Sequence, residues 1–252
     1  MNFMKNKIVR LFLVAAIMFI ICICAASGSE ILQEKSEKST PVPTASQSSI
    51  IIMDNGAQVT IDIDDISTYH AKMEAEEEGT PIPEKAEVDP CCAWMFRSLL
   101  AGIQALWGET IPARSDISIT SNLVSCGALH TGWYVSGSGQ GIETASPGRL
   151  ILLKPDGTEL KDYSHDSRSK IAKNRTPENY QIVLTSISTG ESVGVSLRED
   201  VFPDGFFELF KKIKTDSSVT KEETAQFKKL KDEFKDNLVL KPDSELFSIV
   251  KN

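Results

Sequence analysis

Two periods organise the apolar and polar positions of this chain. An unbroken apolar run at Leu11–Ala26 and a polar stretch over 27–49 come first, and patterned sequence begins near Ile50. Ile50–Met53 and Gln58–Ile63 flank Asp54-Asn55-Gly56, and Asn-Gly between β-branched runs predicts a β-hairpin. Asp62, Asp64 or Asp65 then caps a helix through Tyr69, His70 and Met73. That helix runs into Glu74, Glu76, Glu77 and Glu78, which reads as a solvated helix end. The best-defined helix starts at Asp89-Pro90, an N-cap followed by a proline in the first turn. Cys92, Met95, Phe96, Leu99, Leu100, Ile103, Leu106 and Trp107 recur at helical spacing and mark its buried face, and Gly108 ends it.

Further along, residues 117–124 (ISITSNLV) read as a strand, and Ser125 caps a short helix through Val135. A loop with Gly137, Gly139 and Gly141 follows, but it lacks the Lys-Ser/Thr of a phosphate loop. Arg149–Lys154 and Glu159–Tyr163 are expected to pair across Pro155-Asp156-Gly157, and Tyr180–Ser188 and Ser192–Leu197 across Thr189-Gly190-Glu191. Phe206–Ile213 is amphipathic, and Thr220 with Glu223 forms a capping box for a last helix from Lys221 to near Asn237. Helices alternating with hairpins predict a single α+β domain over 50–252, with a mostly antiparallel sheet and packed helices.

Composition narrows the picture further. The 252 residues are 41% apolar and 25% charged, with a net charge of −8. This excludes a wholly disordered chain, and the acidic balance argues against a nucleic-acid partner. Charge is unevenly spread, because residues 1–26 hold Lys5, Lys7 and Arg10 and no acid. A basic start, an apolar run and the small residues Ser27, Gly28 and Ser29 make the three-part pattern of a signal peptide or membrane anchor. The 16 apolar residues of Leu11–Ala26 are short of the roughly 20 that a spanning helix needs. Ile23 before Cys24 does not suit a lipoprotein signal. Residues 1–26 thus read as signal or anchor, contacting the membrane as an N-terminal helix, and 27–49 as a disordered polar tether. The domain that follows is expected to be extracytoplasmic, held at the membrane or secreted after cleavage. A small-molecule or protein partner, a second copy of the chain included, is left open.

The candidate chemistry lies in the thiols and imidazoles. Cys91 and Cys92 sit in the first turn of the helix begun by Asp89, where free N–H groups and the helix dipole favour a thiolate while the Asp89 carboxylate opposes it. Cys126 begins the next short helix, with His130 four residues on and on the same face. His70 is on the first helix. Three thiols and two imidazoles suffice for a tetrahedral site for zinc or another transition metal. Two alternatives remain: a thiol-dependent redox module using Cys91, Cys92 and Cys126, or a disulfide from Cys126 to Cys91 or Cys92 in a ligand- or partner-binding domain. Cys92 also fits the apolar stripe and would serve as core. His165 receives no role, and no serine elbow or catalytic carboxylate pair stands out.

Residues 61–70 (IDIDDISTYH), 91–114 (CCAWMFRSLLAGIQALWGETIPAR), 115–126 (SDISITSNLVSC) and 180–198 (YQIVLTSISTGESVGVSLR) resemble the FmdE-like family, named after an accessory subunit of formylmethanofuran dehydrogenase. The tail (ELFKKIKTDSSVTKEETAQFKKLKDEF, then PDSELFSI) is similar to that family's closing helices. The resemblance implies a mixed helix-and-sheet fold and a metal, usually zinc, held by a His on the first helix and a Cys near a Pro at the start of the long one. By position these are His70 and Cys91 or Cys92, and Cys126 falls where the family has a further polar or Cys position. Here the 20 residues Ala71–Pro90 separate His70 from the cysteines, where the family has only a few. Pro90 precedes the thiols rather than following one, and the cysteine-rich ribbon of some members is absent. The family name implies methanogen-type carbon chemistry, but the export pattern separates this chain from that cytoplasmic enzyme, and a subunit role is not expected.

Overall fold

The structure is a computed structural model that describes residues 49–252. The apolar segment 1–26 and nearly all of the 27–49 stretch lie outside the described residues. Among the described residues no helix is long and apolar enough to cross a membrane.

The first hairpin forms as its turn chemistry requires. Strands β1 (Ile50–Asp54) and β2 (Ala57–Ile61) pair antiparallel with Asp54 opposite Ala57. Asn55 and Gly56 both take positive φ, the conformation that matches the twist of two-residue hairpins. Asp62 then caps α1 (Ile63–Glu78) in a capping box with Asp65, and Gly79 ends it in the left-handed conformation.

Helix α2 (Pro90–Trp107) is the centre of the fold. Residues Pro90–Phe96 are all buried, which exceeds the one-face burial of a surface helix. The reason is its position: one side lies on the main sheet, and α1, the short helix α3 (Cys126–Ser136) and the long C-terminal helix pack on the others. Gly102 allows the closest approach to the sheet, since a Cβ there would overlap Leu184.

The main sheet has five strands in the order β4-β3-β5-β6-β7. Strands β3 (Ile117–Ser121), β5 (Gln181–Ser186) and β6 (Ser192–Leu197) alternate buried and half-buried residues, as expected of a sheet with one face on a core. The expected hairpin around Gly190 forms as β5–β6. The expected hairpin after Arg149 is only partly formed. β4 (Arg149–Leu152) pairs with β3 in parallel, and Leu153 and Glu159 make a single antiparallel bridge. The segment 159–163 leaves the sheet because the next helix, α4 (His165–Ala172), begins at once. Ser164 caps it, and Asp162 accepts from the Ser164 N–H and from the Ser167 hydroxyl.

The C-terminal part adds α5 (Phe206–Thr215), α6 (Lys221–Leu240), α7 (Asp243–Leu246) and the edge strand β7 (Phe247–Lys251). Thr220 and Glu223 make the capping box of α6. The tail residues SELFSI were expected to be helical, but from Phe247 they run as β7 beside β6. The described residues therefore form an α+β fold with seven helices and two sheets, mostly antiparallel as the sequence predicts.

One buried ion pair locks α6 and the tail onto α2. Arg97 bonds Asp243 at 2.5 Å and donates to the Leu238 and Lys241 carbonyls at 2.6 and 3.0 Å. It thereby satisfies carbonyls that the end of α6 leaves free. Asp243→Ala strands the guanidinium without its counter-charge, and urea denaturation is expected to show a loss of about 3 kcal/mol; a loss under about 0.5 kcal/mol, the surface-substitution range, would contradict this role.

Candidate metal centre

The site is built where three helices meet. The first turns of α2 and α3 are in direct contact: a Cβ on Gly127 would lie 2.8 Å from Asp89 Oδ1, from the Cys91 Cβ and from the Cys92 nitrogen. Only glycine permits this approach. Asp89 caps α2 through Oδ1, which accepts from the Cys91 N–H at 2.7 Å. Ser125 caps α3 by accepting from the Ala128 N–H at 3.1 Å. Helix α1 packs across both and brings in His70.

His70, Asp89 and Cys92 each offer one ligand-type atom, and the three atoms lie within 4.8 Å of one another. Two of these residues were expected from the sequence. Asp89 was read only as a cap working against the thiolate. His130 is fully buried and lies beside the group, with its Nδ1 2.8 Å from Nδ1 of His70. The remaining thiols stand apart from this set. Cys91 is one position, or about 100° of helix, from Cys92, and its Sγ accepts instead from Arg175 Nη1 at 3.3 Å. Cys126, at the start of α3, is half-buried. All three thiols are free.

A second row of residues supports the imidazoles. On α1, Glu74 lies 3.3 Å from His70 Nε2, and Glu77 lies 3.8 Å from His130 Nε2. Glu77 also accepts two bonds from the buried Arg168 of α4, at 2.5 and 2.6 Å. The Glu74–Glu78 run is therefore more than a solvated helix end. His70, Glu74 and Glu77 occupy positions i, i+4 and i+7, one face of a helix, and that spacing was the available signal. Nothing in the sequence marked Arg168, which reaches Glu77 from 91 residues away.

Burial sets the protonation of the site. It pushes all three thiols up, Cys126 to about 11, and the Asp89 charge adds to the effect on Cys91 and Cys92. His130 is pushed down to about 3, first by burial and then by His70 and Arg168. An Nδ1···Nδ1 contact between two imidazoles needs one donor and one acceptor. If His70 donates, the Nε2–H of His130 faces Glu77 and the bare Nε2 of His70 faces Glu74; if His130 donates, the Nε2–H of His70 faces Glu74 instead.

No family model matches this chain, and no curated protein matches it.

The depressed His130 value has a definite sign. The unfolded chain takes up a proton on this residue near 6.5 and the folded chain only near 3, so folding stability falls as pH drops through that window. His130→Asn is expected to flatten the fall between pH 6.5 and 4 in denaturation series. An unchanged slope would show that His130 does not carry it.

Proposed function

We propose that this chain is a metal-binding domain protein of the zinc type, in which His70, Asp89 and Cys92 hold the ion and His130 orients His70. The observation that carries this reading is the convergence of an imidazole nitrogen, a carboxylate oxygen and a sulfur within 4.8 Å. Bonds of about 2.0–2.3 Å to a tetrahedral ion space the donors about 3.3–3.6 Å apart, so the cluster needs only a small closure. Each donor is of a type that zinc accepts, and a set of three matches sites that keep a fourth position for water or substrate. Behind His70, His130 meets its ring through Nδ1, and Glu77, held by Arg168, stands 3.8 Å from the far nitrogen of His130 without a hydrogen bond, a row of outer partners one step removed from the ion.

Two features of the sequence support the same reading. The segments resembling the FmdE-like family carry His70 and Cys92 at positions that resemblance associates with a metal. The basic, apolar and small-residue pattern of the N-terminus supports an exported or membrane-anchored location. The redox alternative is weakened by the thiols themselves: buried and protonated, they are poor nucleophiles at neutral pH, whereas a bound metal would deprotonate Cys92.

Mass-spectrometric metal analysis of the purified protein tests this, with about one zinc or similar ion per chain expected. Cys92→Ala and His70→Ala are each expected to lose the metal, while Cys91→Ala keeps it. A folded protein that takes up no transition metal would overturn the reading. Because Cys92 must release a proton to bind, affinity is expected to rise about tenfold per pH unit near neutrality. Calorimetry in buffers of different ionisation enthalpy would count that proton.

A further inference from the structure

Two of the three candidate ligands border a cleft. It has a volume of about 760 Å³ and lies between α1, the 79–89 connection and α6, with His70 and Asp89 in its wall. That size suits a small molecule. The residues Ala71–Pro90, which lengthen the chain between His70 and the cysteines, supply much of its outer wall.

The charge on the α6 side is unlike that of the rest of the chain. The protein carries a net −8, yet the α6 residues that line the cleft include Lys228, Lys231 and Lys235 against the single acid Asp232. The spacing i, i+3, i+7 sets the three ammonium groups in one stripe. Their charge is weakly matched. Lys231 Nζ is 4.0 Å from Asp89 Oδ2, Lys235 is 3.8 Å from Asp232 on its own helix, and Lys228 has no ion pair among the described residues. An Asp89 carboxylate engaged with a metal gives up charge to it, which leaves Lys231 still less compensated.

We propose that this cleft takes a small oxyanion-bearing molecule, a carboxylate or a phosphate compound, with its anionic group on Lys228, Lys231 and Lys235 and a second group at the metal. This rests on the metal-binding reading above. The 4.0 Å separation of Lys231 from Asp89 requires a compact molecule, because an anion on that ammonium already lies beside the metal ligands. The walls facing α6 carry Glu74, Glu78, Glu87 and Asp89 against Lys85 alone, so the cationic stripe is confined to the α6 side and a ligand carrying negative charge along its whole length is disfavoured.

Inorganic phosphate and malonate, titrated into the full chain with and without Zn²⁺, test this by calorimetry and by amide NMR shifts. Saturable binding is expected, with shifts at residues 224–235. Lys228→Ala/Lys231→Ala/Lys235→Ala is expected to weaken it about tenfold while metal content is unchanged. Lys161→Ala/Lys170→Ala/Lys229→Ala removes the same charge outside the cleft and is expected to leave the affinity within about twofold. Tighter binding of one probe identifies the oxyanion as phosphate or carboxylate. Metal uptake with no saturable anion binding, or with equal weakening in both triple variants, overturns the cleft proposal and spares the metal reading. Lysine-dependent anion binding by a chain that takes up no metal does the reverse for the metal reading, and confines the proposal to its anion half.

Discussion

The contact between the first turns of α2 and α3 is the constraint on which the site depends. Each helix start carries partial positive charge from its unpaired N–H groups, and Gly127 brings the two starts together. Two like poles at this distance need a negative group between them. Asp89 is that group: it caps α2 and its Oδ1 lies against Gly127. Burial keeps Cys92 protonated, and the charge of the same carboxylate adds to that effect. Without a metal, the sulfur of Cys92 therefore keeps its proton.

Around that contact, α1 places the imidazoles under control from outside. Arg168 holds Glu77, Glu77 faces His130, and His130 meets His70. The chain of contacts runs from a buried cation to the candidate ligand without using the sheet. Its members come from α1, α3 and α4, so the ring of His70 is oriented by the packing of three helices rather than by its own turn alone. The charge of Glu77 is balanced by Arg168, which explains how an acidic residue is tolerated beside a buried histidine.

Much of the fold was legible because its elements carry local signals. Asn55-Gly56, Asp89-Pro90, Ser125 and the Thr220/Glu223 box each fix a boundary through chemistry within four residues. What was hidden is non-local. Parallel pairing of β3 with β4 crosses α3, and β7 finds β6 from about fifty residues away, which no turn residue announces. The site divides in the same way. Residue type pointed to His70, Cys91, Cys92, Cys126 and His130 alike. The choice of Cys92 over Cys91 could not be read, since neighbours on a helix differ only in direction. Asp89 was legible as a cap, and only the approach of α1 turns it into a donor beside His70.

The two adjacent thiols occupy separate environments, and that separation bears on what the domain can do. Cys92 faces His70 and Asp89. Cys91 faces Arg175, whose guanidinium also meets the Tyr180 hydroxyl and the ring of Phe210, with no carboxylate bonded to it among the described residues. A redox pair would need both sulfurs to approach one another or one common partner, and adjacent cysteines resist bonding each other because the geometry is strained. Here one sulfur is drawn toward the C-terminal aromatic packing and the other toward the imidazoles. The thiolate form of Cys91 has a fixed cation beside it but loses more to burial than that cation returns. The thiolate form of Cys92 has no cation beside it among the described residues, and a metal ion held with His70 and Asp89 is the partner that would supply one.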